Sequence, residues 1–103
     1  MIFDCRFLKN PYWISHLKVL DGHDKKVQDF VSSSREFKIF FSKVLSLINF
    51  LIPQVQKEGK SQFSIGFGCT GGQHRSVVFV NMLSNKLNSE GHNVLSNHRD
   101  LPN

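Results

Sequence analysis

An apolar run, a turn with two adjacent glycines and a periodic apolar helix follow one another between residues 62 and 91, and this succession most restricts how the chain can fold. Gln62 to Phe67 reads as a strand. Cys69-Thr70-Gly71-Gly72-Gln73-His74-Arg75-Ser76 follows it, and a helix is predicted from about Gln73 to Ser89, with Val77, Val80, Leu83 and Leu87 on one face and a stop at Gly91. A strand that passes through a short loop straight into a helix must send the chain across a sheet rather than back along it.

The remainder agrees with that constraint. Ile2 to Leu8 reads as a strand, Asn10-Pro11 as a turn, and Tyr12-Trp13 as an aromatic pair expected in the core. A short helix is predicted from about Asp24, its N-cap, to Val31, with Val27, Phe30 and Val31 on one face. Ser33-x-x-Glu36 has the pattern of a capping box. The strongest helix follows it, with Phe37, Phe40, Phe41, Val44, Leu45, Ile48, Leu51, Ile52 and Val55 at three- and four-residue steps. Pro53 is expected to kink this helix or start a new turn, and Gly59 to end it. A last strand is predicted at about Asn93 to Asn97. With no hairpin dipeptide between strands, the order implies an α/β fold: a small parallel sheet flanked by helices, one domain over residues 1–103.

Thirteen Lys and Arg against eight Asp and Glu give a formal net charge of +5, which favours an acidic partner such as RNA or a phosphorylated metabolite. Asp4 and Arg6 interrupt the apolar start, so no signal peptide is expected and the chain reads as cytoplasmic. Val44 to Ile52 contains Ser46 and Asn49 and stops at Pro53, so no membrane span is expected. Cys5 and Cys69 read as free thiols. The histidines at 16, 23, 74, 92 and 98 are too scattered for a metal motif, and no metal or cofactor is expected. The exposed members of the ten Phe could seed a homo-oligomer.

Free amides and the helix dipole favour an anion at the start of the helix near Val77, and Gly71 and Gly72 allow the backbone to approach it closely. In a parallel sheet the strand ends share one edge, so Asp4, Arg6, Lys9 and Asn10, the glycine loop, and His98-Arg99 should converge there. Gly66-x-Gly68-x-x-Gly71 has the spacing of a dinucleotide fingerprint, but Asn97-His98-Arg99 stands where that reading needs an acid. Gly-Gln-His in place of Gly-Lys-Ser/Thr excludes ATP hydrolysis by a P-loop mechanism. Cys69, five residues, then Arg75 is the spacing of a cysteine-dependent phosphatase, though Gly68 stands where such enzymes usually carry His and Asp4 is the only nearby acid. A further possibility is that the glycines only pack helix against strand.

Phe3-Asp4-x-Arg6-Phe7-Leu8-x-Asn10-Pro11-Tyr12-Trp13, Leu20-Asp21-Gly22-x-Asp24-Lys25-x-Val27, Gly68 to Val77 and Asn97-His98-Arg99 resemble the C-terminal domain of the RapZ/YvcJ family of bacterial nucleotide-binding and RNA-adaptor proteins. The resemblance implies a phosphofructokinase-like domain without catalytic residues that binds a phosphorylated amino sugar, glucosamine 6-phosphate. In enteric members it also implies binding of small RNAs and their presentation to an endoribonuclease. Asp4 and Arg6 would contact the sugar, and Cys69, Thr70, Gly71, Gly72, His74 and Arg75 would enclose the phosphate, with Asn10, Tyr12, His98 and Arg99 in secondary positions. Family members often carry His at the Tyr12 position, and RNA-binding members have a tail rich in Lys and Arg where this chain reads Asp100-Leu101-Pro102-Asn103. The family's N-terminal GxxxxGK[ST] domain has no counterpart in residues 1–103, so the chain is expected to be a standalone domain or part of a longer one.

Overall fold

Two short parallel strands, β1 (Ile2–Asp4) and β2 (Gly66–Gly68), pair in the register Ile2 with Gly66, Phe3 with Phe67 and Asp4 with Gly68. A computed structural model describes residues 1–70 and 74–101. Among the described residues four helices complete the fold: α1 (Ser15–Lys18), preceded by a single 3-10 turn at Pro11–Trp13, then α2 (Lys25–Ser32), α3 (Arg35–Lys57) and α4 (Arg75–Ser89). The expected α/β class with a small parallel sheet is therefore present, in its smallest form.

Each long helix starts and stops on local chemistry. Asp24 caps α2 by accepting the amide of Lys26 at 2.9 Å. The cap of α3 is Ser34, whose hydroxyl accepts the amide of Phe37 at 3.1 Å, rather than Ser33 as the capping-box pattern suggested; Ser33 lies at the end of α2 and donates its hydroxyl to the carbonyl of Phe30. Both long helices end in the same six-to-one and five-to-two pair of bonds, from Lys60 to Val55 and Gly59 to Gln56 after α3, and from His92 to Leu87 and Gly91 to Asn88 after α4. That closure needs a left-handed residue, and Gly59 and Gly91 supply it at φ 80° and 96°. Pro53 neither starts nor ends an element. It lies inside α3, which continues for one more turn to Lys57 because neighbouring bonds hold the helix past the missing amide.

The core forms where α3, α4 and the sheet meet on Phe79. This side chain is fully buried, and the rings of Phe37, Phe40, Phe41 and Phe67 surround it at centroid distances of 5.6, 4.8, 5.7 and 4.9 Å. Phe67 stacks in turn on Phe3 across the two strands. Each such aromatic pair adds about 0.5–1.5 kcal/mol beyond the area it buries, so Phe79 joins the three layers more strongly than any single hydrogen bond does. The nine apolar positions assigned to the inner face of α3 are all buried or half-buried, whereas Ile39, Leu47 and Phe50 on the other side are exposed. In length and mean hydropathy (1.3) α3 is long and apolar enough to cross a membrane. Its stripe is instead the one that packs on α4, and Lys38 and Lys43 lie within its first three turns.

Three further expectations are corrected. The strands are shorter than the apolar runs that contain them, because residues 5–8 leave the ladder to turn toward Pro11 and residues 62–65 precede it. Residues 93–97 form no strand: the Val94 amide donates to the Asn88 side chain at 3.0 Å and His92 reaches Asn49 at 3.2 Å, so side chains of the helices hold this segment in place of a sheet edge. Tyr12 and Trp13 are exposed, 46% and 78%, while Pro11, the first residue of their 3-10 turn, is buried in their place.

Candidate functional site

The two strands run the same way, so their exits lie side by side. The ladder is extended by one rung, from the Cys5 amide to the Gly68 carbonyl at 2.7 Å, which sets the start of 5–8 beside Cys69-Thr70. At the first exit Asp4 and Arg6 form a closed pair. The Arg6 Nε and Nη2 donate to the Asp4 carboxylate at 2.7–3.0 Å, and the Arg6 backbone amide donates to the same carboxylate at 2.9 Å. These bonds hold the Asp4 carboxyl below its ordinary range and raise the Arg6 guanidinium above its own. Both side chains stay exposed, and they line, with Ile2, Phe3, Gly68, Cys69 and Thr70, a shallow cleft of about 400 Å³. Gly71 and Gly72, expected to cradle an anion here, lie outside the described residues, as does the predicted helix start at Gln73.

The start of α4 is fastened from three sides. The Cys69 sulfur accepts the amide of Ser76, a residue in the first turn, at 3.4 Å, and the Cys69 thiol donates to the Ser76 hydroxyl at 3.3 Å. Cys69 thus fills the part of an N-cap that the His74 side chain leaves open. His74 is buried, and its Nε2 meets the Leu20 carbonyl at 2.5 Å; a carbonyl can only accept, so the proton sits on Nε2. Arg75 is 5% exposed and points back under the first exit, where Nη1 donates to the carbonyl of Arg6 at 2.5 Å and to that of Leu8 at 3.4 Å. Of the residues assigned to the phosphate, Cys69 and Thr70 reach the cleft, while the described bonds of His74 and Arg75 run to the backbone carbonyls of Leu20, Arg6 and Leu8.

The secondary residues sit farther out. Asn10 caps the 3-10 turn, its side chain accepting the Tyr12 amide at 3.1 Å, and Lys18 Nζ stands 4.4 Å above the Tyr12 ring. His98 and Arg99 line a second, larger groove of about 870 Å³, which also touches Gly68, Cys69 and Ser76. His98 Nε2 is 2.9 Å from Asn81 Oδ1, and the Asn81 amide nitrogen is 3.1 Å from His23 Nδ1. Burial first, then the neighbouring His23, lowers the His98 pKa, while Asp21 opposes them. Arg99 pairs with Asp100 at the surface. Among the described residues no group of three or more His, Cys, Asp or Glu could hold a metal ion.

Sequence reasoning gave no role to Ser76, Asn81 or Gly22. A Cβ on Gly22 would lie 2.6 Å from Val77 Cβ and 2.8 Å from the His74 carbonyl oxygen, so only glycine lets the 20–24 turn close on α4. Its available signal was the run Leu20-Asp21-Gly22-x-Asp24, legible as a motif without a stated purpose.

Comparison with known proteins gives one consistent result. The family model described as the RapZ C-terminal domain matches residues 1–102. A nucleotide-binding protein of Ruegeria sp. strain TM1040 is 55% identical over 102 residues, covering 99% of this chain and 34% of the relative. Another from Cereibacter sphaeroides strain KD131 is 52% identical over 101 residues, 98% of this chain and 34% of the relative. A third, from Clostridioides difficile strain 630, is 45% identical over 100 residues, 97% of this chain and 35% of the relative. The chain therefore spans about a third of the length of these curated relatives.

Proposed function

This chain belongs to the RapZ C-terminal domain family, and from that membership we propose that it is a non-catalytic sensor domain for a phosphorylated amino sugar of the glucosamine 6-phosphate kind, with RNA or protein adaptor activity as its output. The observation that carries the reading is the shared cleft of Asp4, Arg6, Cys69 and Thr70 beside the start of α4. An amino sugar phosphate presents an ammonium, several hydroxyls and a dianion. The Asp4 carboxylate accepts from the first two, and the Arg6 guanidinium and Thr70 hydroxyl donate to the last. Arg75 and His74 act as positioning residues: one fixes the carbonyls of the first strand exit, the other fixes the turn at Leu20.

The test is titration calorimetry with glucosamine 6-phosphate, with glucosamine and inorganic phosphate as partial ligands. Arg6→Ala, at an exposed position, is expected to weaken binding at least about tenfold through the loss of a charge-assisted hydrogen bond to the phosphate. Undiminished affinity in that variant, or no heat with the wild type, rejects the reading. The adaptor output, if RNA is the partner, falls steeply with salt as phosphate neutralisation releases counterions.

A phosphatase is the alternative, favoured by the Cys69 sulfur facing the amide and hydroxyl of Ser76. The engagement of Arg75 with two backbone carbonyls weighs against it, since that reading needs the guanidinium on phosphate. Turnover of an aryl phosphate by the wild type and its loss in Cys69→Ser would favour the phosphatase.

A further inference from the structure

The parallel register places the two cysteines opposite one another. Asp4 pairs with Gly68, and the next rung, Cys5 amide to Gly68 carbonyl at 2.7 Å, is the bond a residue makes when its partner is the one after Gly68. Cys5 and Cys69 are therefore the first residues past the two strand ends, carried side by side by that last ladder bond at roughly the 4.8 Å spacing of the strands, and near enough for Cys69 to act on the Cys5 thiol. That spacing falls within the Cα range of about 4.4–6.8 Å that a disulfide spans. Cys5 is wholly buried in the core, and Cys69 packs against that core while lining the cleft. Both are free thiols here.

We propose that Cys5 and Cys69 are a reversible dithiol–disulfide pair, oxidised by a hydroperoxide and placed to control the start of α4. Cys69, the half-buried member that lines the cleft, meets the oxidant. With hydrogen peroxide its sulfur attacks one oxygen, the O–O bond breaks, the departing hydroxide takes the thiol proton and leaves as water, and Cys69 becomes a sulfenic acid. Cys5 then attacks the Cys69 sulfur, the S–O bond breaks, and the second hydroxide leaves as water with the Cys5 proton. Two thiols lose two electrons in all, and one peroxide becomes two waters. Burial, followed by Cys69 and Asp4, pushes the Cys5 thiol up to about 12. Cys5 therefore stays protonated and shielded until its neighbour is oxidised, and its position beside Cys69 offsets its low nucleophilicity.

The consequence follows from the bonds that Cys69 now makes. A sulfur drawn toward Cys5 gives up the amide and hydroxyl of Ser76, which uncaps the first turn of α4 and displaces Thr70 at the mouth of the cleft. Reduction by a small dithiol restores the cap. A bridge of this kind between cytosolic thiols is typical of redox sensing rather than of structural reinforcement.

The experiment treats the full chain with stoichiometric hydrogen peroxide, without any sugar phosphate, and reads intact mass and thiols titrated after unfolding. The outcome is thereby independent of what the cleft binds. Expected are the joint loss of both thiols, a mass lower by two hydrogens, one peptide linking residues 5 and 69, and full recovery with dithiothreitol. In Cys5→Val, which fills the core with a side chain of similar size, Cys69 should accumulate oxygen adducts instead. Wild-type protein whose Cys69 gains oxygen while Cys5 stays reduced, or which links only between chains, overturns the proposal. The wild-type readout stands by itself should the variant fail to fold.

Discussion

Replacing Arg75 should damage the fold before it damages any binding. The side chain is 5% exposed, so solvent screening is slight, and Nη1 donates to the Arg6 carbonyl at 2.5 Å and the Leu8 carbonyl at 3.4 Å. A hydrogen bond from a charged donor contributes about 1.5–3 kcal/mol net, and a buried carbonyl left without a partner costs about 1–3 kcal/mol. The longer bond lies near the geometric limit and adds little. Arg75→Met keeps the stem and its packing but removes every donor, so the expected loss is about 2–3 kcal/mol, a large part of the ~5–15 kcal/mol that holds a domain together. For a chain of this size that corresponds to a melting temperature lower by about 10–20 °C. Arg75→Lys, which can still reach one carbonyl with a point charge, should fall between the two. Urea denaturation of the three proteins, fitted with a common slope, measures the differences. A midpoint for Arg75→Met equivalent to less than about 0.5 kcal/mol of change would refute the reasoning, because such a value belongs to surface substitutions.

Two further predictions concern the other fastenings of α4. Gly22→Ala brings a Cβ to 2.6 Å from Val77 Cβ and 2.8 Å from the His74 carbonyl oxygen, and overpacking of this kind costs about 1–3 kcal/mol. Thermal melting should show it, while Gly68→Ala, which meets nothing within 4 Å, should melt close to the wild type. The third prediction is a pH dependence. The folded protein holds His98 below its ordinary value of 6.5, so the unfolded chain binds more protons in the interval between them. Stability is therefore complete above 6.5 and declines as pH falls through the lowered His98 value. His98→Gln should flatten that decline in urea midpoints measured across the interval, and an unchanged slope would assign it elsewhere.

The extents of the elements show why some features were legible and others were not. Helix periodicity is a local property, and the stripe from Phe37 to Val55 named the buried face of α3 correctly because every residue on it repeats with the helix. Gly59 and Gly91 were equally legible, since a left-handed closing residue leaves few alternatives to glycine. The segment 93–97 was not. Its short apolar centre, Val94-Leu95, suggests a strand, yet a strand exists only when an edge receives its amides, and the Asn88 side chain receives that of Val94.

The sequence by itself determined the α/β class, the buried faces of α2 and α3, the family and the placing of Asp4, Arg6, Cys69 and Thr70 around one strand edge, while on α4 it missed Val78 and Phe79. Tertiary structure alone decided that Arg75 and His74 turn inward to carbonyls of distant segments, that Gly22 closes on Val77, and that Cys5 stands level with Cys69. The physical reason is range. Capping, periodicity and turn chemistry act within a few residues and leave their mark on composition, whereas the choice of partner for a guanidinium, an imidazole or a thiol depends on which segment sixty residues away is folded against it.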